Sequence, residues 1–256
     1  MDLDLTGRVA VVAAGTSGIG LGIARELAAE GAFVSVAGRD PERLAAALAS
    51  LRDSSPTGEA DGVSLDVRNA GAVRNWVDGV AAERGRLDIV VTNAGGPASG
   101  HATEFDVGQY RELVELTLLS AVSLVSAALP HLRRDSWGRI LLVASLAAKQ
   151  PIPGLALSNT IRPALLGYAK SLVHELSGEG ITVNVLVPGM TRTPELEAWA
   201  RTLPGGLAGL AADIPIGRVA EPAELGAVAA FLASPRAAAI SGAVVPVDGG
   251  AASGLF

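Results

Sequence analysis

Cysteine is absent from the 256 residues, which removes disulfides, thiolate nucleophiles and Cys-ligated zinc together. Charge is scarce as well, at 18% of residues, and the net charge of -6 comes with no basic stripe and no acidic tail. Nucleic acid and membrane surfaces are therefore not expected partners, whereas a small-molecule substrate is. The amino terminus, Met1-Asp2-Leu3-Asp4-Leu5, lacks the basic and apolar regions of a secretory signal, and no apolar run approaches the roughly 18 residues of a membrane span. The expected location is the cytoplasm. No segment reads as a linker and no repeat of fixed period occurs. Histidines number three, and neither a Ser/His/Asp triad nor a metal cluster can be assembled from spacing, so no metal is expected.

Hydrophobic residues, in contrast, make up 49% of the chain, enough to cover both faces of a sheet. Short runs of Val, Ile and Leu alternate with longer Ala/Leu/Glu/Arg segments, the pattern of parallel strands buried by crossover helices. Strands are expected over 8–13, 32–37, 62–67, 87–92, 138–144, 181–187 and 243–247. Helices are expected over 18–30, 41–52, 69–84, 106–134, 156–178 and 222–233, with Gly31, Gly85 and Gly180 placed to end helices. The expected fold class is α/β: a Rossmann-type, doubly wound parallel sheet of about seven strands in three α/β/α layers, one domain over 1–256. A Pro/Gly-rich stretch over 188–217 interrupts the alternation and reads as a substrate lid.

After the first strand comes Ala13-Ala14-Gly15-Thr16-Ser17-Gly18-Ile19-Gly20, leading into a helix. Glycines here permit a tight turn and let backbone N–H groups and the helix N-terminus approach a pyrophosphate. Close packing of helix on sheet also selects glycine, so the cluster has two readings. Three further segments stand after the third, fourth and sixth strands: Leu65-Asp66-Val67, Asn93-Ala94-Gly95 and Pro188-Gly189-Met190-Thr191-Arg192-Thr193, and the chain closes on Val247-Asp248-Gly249-Gly250. Together these motifs resemble the short-chain dehydrogenase/reductase family over essentially the whole chain, nearest its 3-oxoacyl-carrier-protein-reductase-like branch.

The resemblance implies a dinucleotide held by Ala14, Thr16, Ser17, Gly18, Ile19, Arg39, Asp66, Val67, Asn93, Ala94, Gly95, Arg162, Pro188, Gly189 and Thr191. Asp66 would accept from the adenine amino group and Asn93 would steady the sheet beneath the cofactor; a helix cap is the other reading of Asp66. Ala14 stands where the family has the first glycine of its phosphate loop and adds a methyl at a sharp turn. The second strand ends Gly38-Arg39, which leaves space and positive charge for a ribose 2′-phosphate, so NADP(H) is expected over NAD(H). Arg39 as a merely solvated residue is the alternative.

The family's catalytic Asn, Ser, Tyr and Lys fall on Thr117, Ser145, Ser158 and Arg162, so one of the four types is kept. Tyr168 lies six residues past Arg162, about 120° around a helix from it, and does not restore the tyrosine. A serine hydroxyl is a far weaker acid than a phenol, and arginine does not readily relay protons. Ser158 and Arg162, at i and i+4, share one helical face with Ser145 opposite, a Ser/Ser/Arg cluster suited to an oxyanion or other anion. The competing reading makes Ser158 a cap and Arg162 the partner of a surface carboxylate. Pro163 is expected to bend the helix beside the site. Lys149 and His101 border the expected cleft but read as exposed loop residues, and His131 and His174 as structural or surface groups. Leu155, Leu157, Met190 and Leu196 suggest an apolar part to the substrate.

Three functions fit these residues. The first is an atypical oxidoreductase interconverting a carbonyl and an alcohol with NADP(H), on a small organic or acyl substrate. The second is a lyase, isomerase or cyclase on the same scaffold, and the third a nucleotide-binding protein without turnover. The long helices over 106–134 and 156–178 are candidate dimer surfaces, and a homo-oligomer, dimer or tetramer, is expected from the resemblance.

Overall fold

Apolar runs of four to eight residues dictate the centre of the molecule, where β1 (Val9–Val12), β4 (Ile89–Thr92), β5 (Gly138–Val143) and β6 (Ile181–Pro188) are buried at every position. The computed structural model describes residues 2–255. With β2 (Phe33–Gly38), β3 (Ala60–Ser64) and β7 (Val244–Val247), these strands form a seven-stranded sheet in the order β3-β2-β1-β4-β5-β6-β7. Every pairing is parallel.

Helices cover both faces: α1 (Gly18–Ala29), α2 (Pro41–Ser54) and α9 (Pro222–Ala233) on one, α3 (Ala70–Arg84), α5 (Ser120–Arg134) and α6 (Ala156–Glu175) on the other. Side chains alternate along each strand. Val9, Val11, Val90, Ile140 and Leu142 join the core under α3, α5 and α6, whereas Ala10, Val12, Ile89, Val91 and Leu141 join the core under α1, α2 and α9. Start signals act locally: Asp40 accepts from the amides of Glu42 and Arg43 at the head of α2, and Asn69 from Ala72 at the head of α3.

Strand order reverses between β1 and β4, so the chains leaving these neighbours cross to opposite faces and open a crevice at the carboxyl ends of the strands. The opposite end is closed by charge. Asp88, fully buried, accepts from the Val9 amide at 2.9 Å, from Arg8 Nη1 at 3.0 Å and from Arg86 Nε at 2.7 Å.

Several elements differ from the sequence expectation. β3 starts at Ala60 rather than 62 because Ala60-Asp61-Gly62 pair with β2 despite poor strand propensity; a Cβ on Gly62 would lie 2.7 Å from the Val36 carbonyl oxygen, so a side chain is excluded there. The stretch over 106–134 is α4 (Val107–Leu113), one π-helical segment (Val114–Leu119) and α5. Its continuous span Val107–Arg134 is long and apolar enough to cross a membrane by length and composition alone. Counting uninterrupted apolar residues misses it because Thr117, Ser120, Ser123 and Ser126 punctuate the stretch after Glu115. Here it packs as a core helix on α3, β4 and β5. Gly180 does not end α6, which stops at Glu175; it turns the chain into β6, where a Cβ would meet the Ser136 carbonyl. The 188–217 stretch holds two short helices, α7 (Pro194–Ala200) and α8 (Gly206–Ala211).

Candidate active site

The turn after β1 is built by contacts that leave no room for side chains. A Cβ on Gly15 would lie 2.8 Å from Val36 Cγ1, and one on Gly20 2.2 Å from the Ala14 carbonyl oxygen and 2.7 Å from Asn93 Nδ2. Close packing and backbone exposure therefore operate together: the same glycines that fit the sheet leave the first-turn amides of α1, at Gly18, Ile19 and Gly20, without helical partners. Ser17 occupies the N-cap but makes no side-chain cap bond. Asn93, at the end of β4, donates from Nδ2 to the Ala14 carbonyl at 3.3 Å and so ties the turn to the neighbouring strand.

Ala14 adopts φ +46, a left-handed conformation that costs an L-residue with a Cβ about 1–2 kcal/mol. Ala14→Gly is expected to raise stability by about 0.5–1 kcal/mol, the relief exceeding the added freedom of the unfolded chain. Thermal unfolding should then shift up by a few degrees; an unchanged or lower midpoint would show that the turn carries no strain.

Beyond β2, a Cβ on Gly38 would lie 2.5 Å from Thr16 Oγ1, so the strand end carries no side chain and Arg39 stands exposed next in line. Asp66 does not cap α3, since Asn69 does. Its carboxylate is instead gripped by Arg68, through Nε at 3.1 Å and Nη2 at 2.6 Å, and this hydrogen bonding holds the Asp66 carboxyl below its ordinary range. Val67 is buried beneath it, while Ala94 and Gly95 run out along the crevice.

Ser145 follows β5 and caps a single 3-10 turn, Leu146–Ala148, with its Oγ accepting from the Ala147 amide at 3.2 Å. That bond uses a lone pair and leaves the hydroxyl hydrogen free to donate. Ser158, 5% exposed, sits in the first turn of α6, whose N-cap is Leu155. It is therefore not the cap. Arg162 is not on the surface either: Nη1 donates to the carbonyls of Val143 at 3.1 Å and Ala144 at 3.2 Å, the two residues before Ser145. Its Nε and the Thr117 hydroxyl are buried without partners, on the wall of one water-sized cavity shared with Thr92 and Asn93. Burial lowers the guanidinium to about 10. Tyr168, half-buried further along α6, is pushed up to about 12 by burial, which makes it a still poorer acid than its position suggested.

At β6, Pro188 and Gly189 lead into Thr191, whose hydroxyl donates to the Gly189 carbonyl at 3.2 Å; a Cβ on Gly189 would meet Asp248 Cα at 2.7 Å. The sequence profile described as Enoyl-(Acyl carrier protein) reductase matches residues 13–252. The chain belongs to the short-chain dehydrogenase/reductase family. It is 34% identical to the putative ketoacyl reductase of the monensin polyketide synthase from Streptomyces virginiae, over 96% of this chain and 97% of the relative. It is 32% identical to the 3-oxoacyl-acyl-carrier-protein reductase MabA of Mycobacterium bovis, over 96% and 94%. Among solved structures it is similar to L-sorbose reductase from Gluconobacter frateurii, described in complex with NADPH and L-sorbose. The TM-score is 0.94 at 33% identity, covering all of both chains.

In this short-chain dehydrogenase/reductase, Arg162 reaches the two carbonyls just before Ser145, and Ser158 lies buried one turn before Arg162 on α6. Among the residues expected to give an apolar cleft, Leu157 is buried and offers little surface. Lys149 is half-buried at the end of the 3-10 turn, and His101 is exposed beside Gly100, whose amide donates to the Gly154 carbonyl at 2.7 Å. Asn159 escaped notice in the sequence. Its side chain binds both the amide and the carbonyl of Ile152 at 2.9 Å and fastens the loop beside the site to α6. Arg68, in contrast, is legible in the sequence as a basic residue two places after Asp66.

Proposed function

We propose that the chain is an NADP(H)-dependent oxidoreductase that interconverts a carbonyl and an alcohol on a small organic or acyl substrate. The observation that carries this reading is the cradle after β1, from which Cβ atoms are excluded at Gly15 and Gly20, continuous with a side-chain-free strand end at Gly38 and the exposed Arg39. A dinucleotide fits that shape, with pyrophosphate at the head of α1 and a 2′-phosphate at Arg39. The likeness to an NADPH-bound sorbose reductase supports the same cofactor. When bound, the dinucleotide supplies or accepts hydride.

The chain's own residues then polarise the substrate oxygen. Ser145 donates its free hydroxyl hydrogen to it, and Ser158 offers a second hydroxyl from α6. Arg162 spends Nη1 on the Val143 and Ala144 carbonyls, which holds the strand end under Ser145 and leaves Nη2 for a ribose hydroxyl. Water delivers the proton, because neither serine is acidic enough to give one up and Tyr168 is held too basic. Asp66 reaches the adenine amino group once Arg68 shares its carboxylate. The 188–217 segment acts as a lid, in one domain with the nucleotide site. Assembly as a homo-oligomer is supported by the exposure of Val107 at 73% and Leu119 at 51% on the long helical span.

NADPH oxidation measured over a panel of ketones and acyl thioesters tests the reading, with turnover on at least one expected. A second reading, a lyase or isomerase, is favoured by one observation: serine and arginine replace the expected tyrosine and lysine. Product formed equally fast with and without NADPH would establish it and remove the redox assignment.

A further inference from the structure

Arg39 is not the only cation at the end of β2. Arg43 lies one turn further on, with Nε 3.4 Å from Asp40 and Nη1 3.8 Å from Glu195, a residue of α7. That second contact reaches across from α2 to the lid. The lid itself starts on the nucleotide turn: a Cβ on Gly18 would lie 3.0 Å from Thr193 Cγ2, and Thr193 caps α7 through the Leu196 amide at 3.1 Å. On the other side, Arg192 pairs with Glu221 at 3.0 Å and fastens the lid to the head of α9. The start of α7 thus spans the mouth of the crevice between α2 and α9, with an ion pair at each end.

The two fastenings are unequal. Arg43 and Glu195 are 58% and 66% exposed and meet at the limit of ion-pair distance, so water screens their attraction and little is lost when they part. A phosphate beside Arg39 carries up to two negative charges and offers Arg43 charge-assisted hydrogen bonds in place of one loose carboxylate. Asp40, whose Oδ1 is committed to capping α2 and whose Oδ2 faces Arg43, keeps that guanidinium near the strand end.

We propose that Arg43 is a second determinant of 2′-phosphate recognition, and that it exchanges Glu195 of the lid for the phosphate when the cofactor binds. This rests on the NADP(H) reading of the same groove. Its consequence is that the two nucleotides differ in what they do to the lid: one carrying a 2′-phosphate releases the α2 fastening, and one lacking it leaves the fastening in place. Glu195 accordingly acts as a competitor for the cofactor's phosphate.

Dissociation constants of NADPH and NADH, measured by calorimetry for the full chain and for Arg43→Gln, Glu195→Gln and the double variant, test this. Arg43→Gln should weaken NADPH about 10-fold or more and leave NADH unchanged, with Arg43→Lys recovering part of the loss. Glu195→Gln should tighten NADPH about 2–5-fold, again without effect on NADH, and should have no effect in the Arg43→Gln background. Equal losses for both nucleotides, or a Glu195→Gln effect that persists without Arg43, overturn the exchange while leaving the cofactor assignment intact. Failure of the unaltered protein to bind NADPH removes both.

Discussion

Ser145→Ala should lower NADPH-dependent turnover by about 10²–10³-fold while changing the dissociation constant of the cofactor little. The magnitude is that of one preorganised donor to a developing oxyanion. Ser145 Oγ accepts from the Ala147 amide at 3.2 Å, so its hydrogen is directed away from its own turn. The backbone before it is fixed by Arg162 on the Val143 and Ala144 carbonyls and by the Ala144 amide on the Leu186 carbonyl at 2.8 Å. Alanine removes the donor and a turn cap without disturbing those bonds. Single-turnover kinetics at saturating NADPH measures the effect; a rate within a few-fold of the original would take Ser145 out of the reaction.

The second large effect lies at the far end of the sheet and concerns stability alone. Asp88 is fully buried and receives the Val9 amide and two arginines, Arg8 and Arg86, the latter raised above its ordinary pKa by that hydrogen bonding. Asp88→Ala leaves a buried amide without an acceptor and two guanidinium groups without a counter-charge. The arginine side chains are 22% and 37% exposed, so water recovers part of the loss, and the expected cost is about 2–4 kcal/mol. For a chain of this size the thermal midpoint should fall by about 4–16 °C. Cofactor affinity below the transition should be unchanged, because the crevice is at the opposite edge of the strands. A variant that melts within a degree or two of the original would contradict the role assigned to this cluster.

The architecture was legible because parallel strands buried on both faces write themselves as apolar runs, as at Ile140-Leu141-Leu142-Val143, and because capping residues such as Asp40 and Asn69 announce helices. β3 was displaced where Ala60, Asp61 and Gly62 follow the needs of close packing against Val36 and not propensity. The π-helical segment around Thr117 left no trace in a periodicity that reads as one helix. The nucleotide turn was readable, since its glycines have a local reason to be there, and the left-handed Ala14 was foreseeable as a methyl at a sharp turn. What the sequence concealed was direction. Arg162 lies on the expected helix face, yet its guanidinium turns to the carbonyls of Val143 and Ala144 at the end of β5, 19 and 18 residues earlier in the chain. The contact of Arg43 with Glu195 is hidden for the same reason, since its partner is brought in by the tertiary fold, whereas Arg68 stands only two places from Asp66 and its contact is local.

If the groove after β1 and β2 holds a dinucleotide, Gly38 and Arg39 give it a preference for the one bearing a 2′-phosphate. Parallel calorimetric titrations of the unaltered protein with NADPH and NADH test it most directly. The expected result is saturable binding of both with NADPH tighter by about 10-fold or more, the contribution of charge-assisted bonds to the phosphate. Tighter binding of NADH, or no heat with either nucleotide at millimolar concentration, would contradict it.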